Sequence, residues 1–227
     1  MKKVFVVIPA VLSLICLLAW ECVQAGEVQK KNADAGAVRL KSRTFVPAQG
    51  LDQELLKYIQ IGKKEKRDRV HALVQFFAVP DINERKRLEK DVKLHILDPI
   101  PERAYYVSIP TNISVARELV EKRRVRWIGY IRPKDKVAPW ILDKGVPEHA
   151  RRDKKRADLI VEFFGDVPER DQQQALQRHS SELINRIIPL NGWHIVINES
   201  DIVKLAGEDP VKWIVEVPRP QELDNDG

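Results

Sequence analysis

Five histidines stand in this 227-residue chain, His71, His95, His149, His179 and His194, and no His-Glu-x-x-His pair is among them. A metal centre needs three or four imidazole, thiolate or carboxylate ligands that converge, and the short spacings that deliver them are missing. The serines beyond residue 25 are Ser42, Ser108, Ser114, Ser180, Ser181 and Ser200, and none lies in a Gly-x-Ser-x-Gly or Gly-Thr-Ser context. An activated nucleophile is therefore not indicated. Glycine is scarce and no phosphate-cradling loop can be drawn. Asp166 and Glu169 lie at an expected helix start, where the helix dipole accounts for them. Asn112-Ile-Ser114 and Asn198-Glu-Ser200 match a glycosylation sequon, but both begin a helix, where asparagine serves as a cap. The residues predict a protein that is not an enzyme and binds neither metal nor cofactor.

The ends of the chain bound its setting. Met1-Lys2-Lys3 precedes an apolar run from residue 4 to 20, and Val23-Gln24-Ala25 places small residues where a signal peptidase reads. Residues 1–25 read as a signal peptide, which predicts a secreted or periplasmic protein without stable membrane insertion. Cys16 and Cys22 both fall in that segment, so disulfides do not contribute and stability must come from apolar burial. The formal charge of +6 becomes +5 once Lys2, Lys3 and Glu21 are removed, too weak an excess to argue for nucleic acid.

The elements emerge from an internal repeat. His71-Ala-Leu-Val-Gln-Phe-Phe77 aligns with Asp158-Leu-Ile-Val-Glu-Phe-Phe164, Tyr105-Tyr-Val-Ser-Ile109 with Trp193-His-Ile-Val-Ile197, and Val125-Arg-Trp-Ile128 with Val211-Lys-Trp-Ile214. The offset drifts only between 86 and 88. Each copy reads β-α-β-β-α-β, so the expected class is α+β, two tandem ferredoxin-like modules at 70–132 and 158–217. Residues 26–69 are expected to be flexible apart from a short helix over 51–59. Residues 133–157, with three prolines and the cluster Arg151, Arg152, Lys154, Lys155 and Arg156, read as a linker whose sticky point is Trp140-Ile-Leu142. Residues 218–227 form a tail.

Strand residues alternate between two faces. One list, Ala72, Val74, Phe76, Tyr105, Val107, Ile109, Val125 and Trp127, is expected under the helices of the first copy. The other holds Leu73, Gln75, Phe77, Tyr106, Ser108, Arg126, Ile128 and Tyr130, and in the second copy Ile160, Glu162, Phe164, His194, Val196, Lys212, Ile214 and Glu216. Such a face needs a cover: the other copy, Trp140 of the linker, or a separate protein. RNA-recognition modules share this topology, but the Arg/Lys-Gly-Phe-Gly-Phe pattern is missing, so no nucleic acid is expected.

The ordered set of motifs resembles the tandem prodomains of secreted bacterial subtilisin-like serine proteases, including the fervidolysin-like type. Arg43-Thr-Phe-Val-Pro47 with Gly50, residues 73–77 and Arg126-Trp-Ile-Gly129 are similar to the region after the signal peptide of those precursors. Val211-Lys-Trp-Ile-Val-Glu216 resembles the end of their last prodomain, and Asp224-Asn-Asp-Gly227 the junction with a protease domain that does not follow here. The resemblance implies a chaperone and inhibitor of a subtilisin-like protease acting in trans. Its docking face is expected to hold Leu73, Phe77, Tyr106, Ile128, Tyr130, Phe164, Val196 and Ile214, and its inhibitory tail Pro218, Arg219, Pro220, Gln221, Glu222 and Leu223. Two other readings stand beside it: a cell-envelope protein-binding module, and the remnant of a precursor that lost its catalytic domain.

Overall fold

The computed structural model describes residues 36–219, so the expected signal peptide and tail residues Pro220, Gln221, Glu222 and Leu223 lie outside the described residues. The fold is mixed α+β. A hairpin of β1 (Val38–Arg39) and β2 (Thr44–Phe45) leads to β3 (Gly50–Leu51), α1 (Gln53–Lys64) and β4 (Arg69–Gln75). Next come α2 (Ile82–Val92), β5 (His95–Ile100), β6 (Ala104–Pro110), α3 (Ile113–Glu121) and β7 (Trp127–Gly129). After α4 (Pro139–Lys144) the order resumes with β8 (Arg156–Phe163), α5 (Glu169–Gln177), β9 (Glu182–Ile187), β10 (Gly192–Asn198), α6 (Ile202–Ala206) and β11 (Val211–Glu216). One sheet is ordered β3-β7-β4-β6-β5 and the other β11-β8-β10-β9.

Local chemistry sets the helix starts. Asp81 caps α2 by accepting from the Glu84 N–H at 2.8 Å, and Asn112 caps α3 by accepting from the Ser114 N–H at 3.0 Å. The matching Asn198 makes no capping bond and opens a 3-10 turn instead. Apolar residues of the strands then meet the helices: Ala72, Val74, Val107 and Ile109 pack with Leu88 and Leu119 in the first copy, and Leu159, Val161 and Ile195 with Leu176 and Leu205 in the second.

Residues 133–157 are not a loose linker. Val137 forms a parallel bridge to Ile214, and the Ala138 N–H donates to the Ile214 carbonyl at 2.9 Å. In the first copy Leu51 lies parallel to Ile128, and the Asp52 N–H donates to the Ile128 carbonyl at 3.0 Å. Both pairs stand 86 positions apart, and a helix follows each, α1 or α4. The repeated unit therefore begins one strand and one helix earlier than its sequence motifs. Prolines misled the expectation: Pro133 and Pro139 occupy first turns, where no backbone N–H is needed. The basic cluster beyond is tied down as well, with Arg152 bidentate to Asp158 at 3.0 and 2.6 Å.

Residues 36–69 are likewise ordered: the β1-β2 hairpin covers the outer face of the first sheet, while α1 packs Leu55 and Ile59 into the core on the helix side. Val38, Leu40 and Phe45 join Leu73, Tyr106, Trp127 and Phe164 in a third core between the two units. The expected open face is thus corrected. Leu73, Ile128, Phe164, Val196 and Ile214 are buried, Tyr106 and Tyr130 are half-buried, and among the eight only Phe77 is exposed, at 43%. Ile128 and Ile214 belong to the helix side, because alternation restarts inside the Val-x-Trp-Ile motif. Trp127 stands opposite Gln75 and Ile128 opposite Val74. In the second unit the register shifts between Val211 and Trp213, which places Trp213 opposite Glu162 and Ile214 opposite Val161. Tyr130 follows to the helix side, its ring 4.5 Å from that of Tyr58 on α1.

Candidate functional site

The most concentrated group of ionisable side chains lies where the two units meet. β4 directs His71 to the outer face of the first sheet, and two loops at one end of the second unit bring carboxylates to it. Asp209, just before β11, lies 2.6 Å from His71 Nδ1, and Asp166, just after β8, lies 2.9 Å from Nε2. Asp209 Oδ1 also accepts from the His71 backbone N–H at 3.0 Å and from the Tyr58 hydroxyl at 3.1 Å. The imidazole is stacked on Phe164, with ring centres 4.1 Å apart and planes 11° from parallel.

Burial alone would discharge the imidazole, but the Asp209 and Asp166 carboxylates outweigh it and hold the group above its ordinary pKa. Asp209 responds in kind. Burial works to raise its pKa, while the charge and hydrogen bond of His71, with Lys136 behind, bring it down to about 2. Lys136 is buried beneath, donating to the Glu208 carbonyl at 2.8 Å, and burial pulls its pKa down to about 8. Arg67 donates to the Tyr58 hydroxyl at 2.9 Å and lies 3.7 Å from Asp209.

Outside this latch the two units leave a cleft of about 860 Å³, walled by Tyr58, Arg67, Arg69, Asp166, Arg178 and Glu208 among others. Its chemistry is that of a fastening. A general base must offer a free lone pair, and both ring nitrogens of His71 are engaged by carboxylates. Ser108 is fully buried, and its Oγ accepts from Arg69 Nε at 2.7 Å, so it is not poised for attack. Among the described residues no group of three or more His, Cys, Asp or Glu side chains could hold a metal ion.

A family model described as Domain of unknown function (DUF8729) matches residues 39–132. The matched stretch runs from the last residue of β1 through β2 and takes in the whole first unit from β3 to β7. No curated protein and no solved structure matches the chain.

The outer faces of the two sheets differ in their cover. On the first, His71, Leu73, Gln75 and Ser108 are buried. At the matching places on the second, Asp158, Ile160 and Glu162 are half-buried, while Val196 is buried. Asp158 there takes Arg152 and His194 as partners, with His194 Nε2 at 2.9 Å. Lys41 reaches over the Trp213 ring at 5.2 Å, and Lys212 pairs with Asp98 at 2.9 Å, so the first unit touches only one side of this face. Of the expected tail, Pro218 and Arg219 are exposed beyond β11, whose end is held by the Val217 N–H donating to the Asp158 carbonyl at 3.2 Å.

Sequence reasoning missed the latch. It found no metal-binding spacing around His71 and assigned Asp166 to a helix start. The signal lay in the repeat itself: His71 aligns with Asp158, so one copy carries a different charge on an otherwise apolar strand.

Proposed function

We propose that the chain is an exported, non-catalytic binding protein of the prodomain type, which engages a subtilisin-like protease in trans. In this reading each unit is a split-βαβ, ferredoxin-like module extended by the leading strand and helix, and the strand orders β7-β4-β6-β5 and β11-β8-β10-β9 support that assignment. The carrying observation is the unequal cover of the two sheets. The first sheet's outer face is filled from within the chain, while Ile160, Glu162, Val215 and His194 of the second stay half-exposed beside the start of the tail. The docking surface is therefore narrower than the motifs alone implied: it lies on the second unit and excludes Leu73, Ile128, Phe164 and Ile214, which serve the chain's own cores. Tail residues Pro218 and Pro220 restrict the chain before binding, which lowers the entropy lost on entering a cleft.

Titration of the purified protein against a secreted subtilisin-like protease tests the reading. Inhibition that weakens about tenfold or more in Ile160→Asp is expected from burying a charge at an interface centre. Neither inhibition nor assisted refolding of the protease, with an intact fold, would remove it.

A further inference from the structure

Charge is divided unevenly along the chain. Residues 36–132 hold 21 Lys and Arg against 12 Asp and Glu, a net +9, while residues 133–217 hold 13 against 15, a net −2. The first unit is therefore the cationic end of a bipolar molecule, the end an anionic surface attracts.

The same unit carries an apolar tip. Between β4 and α2 the chain runs through Phe77, Val79 and Ile82, which are 43, 62 and 67% exposed. Hydrogen bonds tie this loop to two turns. The Phe76 N–H donates to the Arg103 carbonyl at 2.9 Å, Arg103 Nη1 to the Phe77 carbonyl at 2.8 Å, and the Arg126 N–H to the Gln75 carbonyl at 2.7 Å. The loop, the β5-β6 turn and the α3-β7 turn thus form one pole of the first unit. Val46, 60% exposed, stands beside it, since the Pro47 carbonyl accepts from Arg126 Nη2 at 3.2 Å. Four of the ten exposed large apolar side chains among the described residues gather at this pole.

Cations frame the tip. Segments 77–87, 101–103 and 121–126 hold eight Lys and Arg against four Asp and Glu. Three of those acids are engaged: Asp81 caps α2, Glu84 lies 3.5 Å from Arg87, and Glu102 lies 3.7 Å from Arg39. Lys86 and Arg123 are exposed and take no ion-pair partner among the described residues. The chain also enters the fold here. A Cβ built on Gly36, the first described residue, would lie 2.9 Å from Arg126 Nη2 and 3.4 Å from the Val46 side chain. The apolar run 4–20 is therefore joined to the pole that carries the tip. Protruding apolar side chains inside a cationic frame fit the bilayer boundary, where aliphatic groups enter the acyl layer and Lys and Arg stay among the headgroups.

We infer that this pole seats the protein on an anionic phospholipid surface, with Phe77, Val79 and Ile82 dipping into the bilayer and Lys86 and Arg123 meeting lipid phosphates. The contact is peripheral, and no helix among the described residues is long and apolar enough to cross a membrane. It uses the first unit alone and leaves the outer face of the second sheet free. The inference does not require the protease reading.

Hydrogen exchange of the full chain on lipid vesicles tests the inference. An apolar leader binds lipid by itself, so the readout must be local to the pole. Amides of residues 77–83 are expected to exchange more slowly on phosphatidylglycerol vesicles and to be unaffected by phosphatidylcholine vesicles. Val79→Asp is expected to lose the slowing. Lys86→Gln combined with Arg123→Asn is expected to lose most of it, each removed charge being worth roughly fivefold in local binding. Asparagine suits the left-handed backbone at position 123, where φ is 50°. Both variants should keep the wild-type melt, because the side chains they change are exposed. Exchange at 77–83 that phosphatidylglycerol leaves unchanged would overturn the inference, wherever else the chain binds. So would equal slowing on phosphatidylcholine, or slowing that survives both variants. Equal slowing by soluble polyphosphate would also overturn it, by assigning the pole to an anionic polymer.

Discussion

At the scale of single residues, the junction is governed by one imidazole between two carboxylates. The groups facing it are Asp209 from the loop before β11, Asp166 from the loop after β8, Tyr58 from α1, Arg67 from the turn before β4, Arg69 from the start of β4, and Lys136 beneath. Because the folded-state pKa of His71 is raised above 6.5, its contribution to stability is complete below that value and is lost as pH rises through the folded pKa. Asp209 sets the acid limit, since its contribution is present above 3.8 and lost as pH falls toward about 2. Lys136 acts in the opposite sense: its folded pKa of about 8 lies below 10.5, so stability is regained as pH rises between those values. Urea melts from pH 5 to 10 should show the wild type weakening above pH 6.5, and His71→Gln losing that weakening while keeping the alkaline gain from Lys136. The substitution should cost ~3–5 kcal/mol at pH 6, because it removes the counter-charge in direct contact with buried Asp209, leaving only Arg67 at 3.7 Å and Lys136 behind. An alkaline limb that is the same in both proteins would show that His71 does not carry it.

At the scale of elements, the repeat told more about strand order than about strand faces. Strict alternation correctly placed Ala72, Val74, Val107 and Ile109 under the helices, because β4 and β6 pair without a break over their whole length. It failed at Trp127 and Ile128, and again at Trp213 and Ile214, because a single irregular residue flips every later side chain to the other face. No periodicity displays such a residue, whereas its recurrence in both copies identifies it as a feature of the fold. The leading strand and helix of the second unit were illegible for a related reason: a one-residue parallel bridge at Val137 has no period at all. A second close approach makes a sharper test. A Cβ on Gly192 would lie 2.4 Å from the Val161 carbonyl oxygen, a backbone atom in the middle of the neighbouring strand. Gly192→Ala must push β10 from β8, and overpacking of this kind should cost about 1–3 kcal/mol or more. Thermal melts report it directly. Gly165→Ala, with open space around its Cβ, is the matched control and should melt within about 0.5 kcal/mol of wild type.

For the whole molecule, the decisive quantity is how much of the first unit's stability resides in the second. Leu73, Ile100, Ala104 and Trp127 belong to the first unit, yet their core is completed by Val38 and Leu40 on one side and Phe164 on the other. Phe164 fills that core without belonging to the helix-side core of its own unit, where Phe163 takes the place beneath α5. Truncating Phe164 to alanine therefore removes a buried aromatic from the shared layer and leaves the second unit's own core untouched, at an expected cost of about 3–5 kcal/mol to the first unit. The wild-type chain should unfold in one transition, because the latch and the shared core couple the units. In Phe164→Ala the melt should split, the first unit unfolding early and the second near its former midpoint. Hydrogen exchange localises the split: amides of β4 and β6 should lose protection while those of β8 and β10 keep it. One sharp transition at the wild-type midpoint would mean that the units are coupled elsewhere, leaving the Arg43–Asp135 pair, 2.5 Å across the junction, as the next contact to cut.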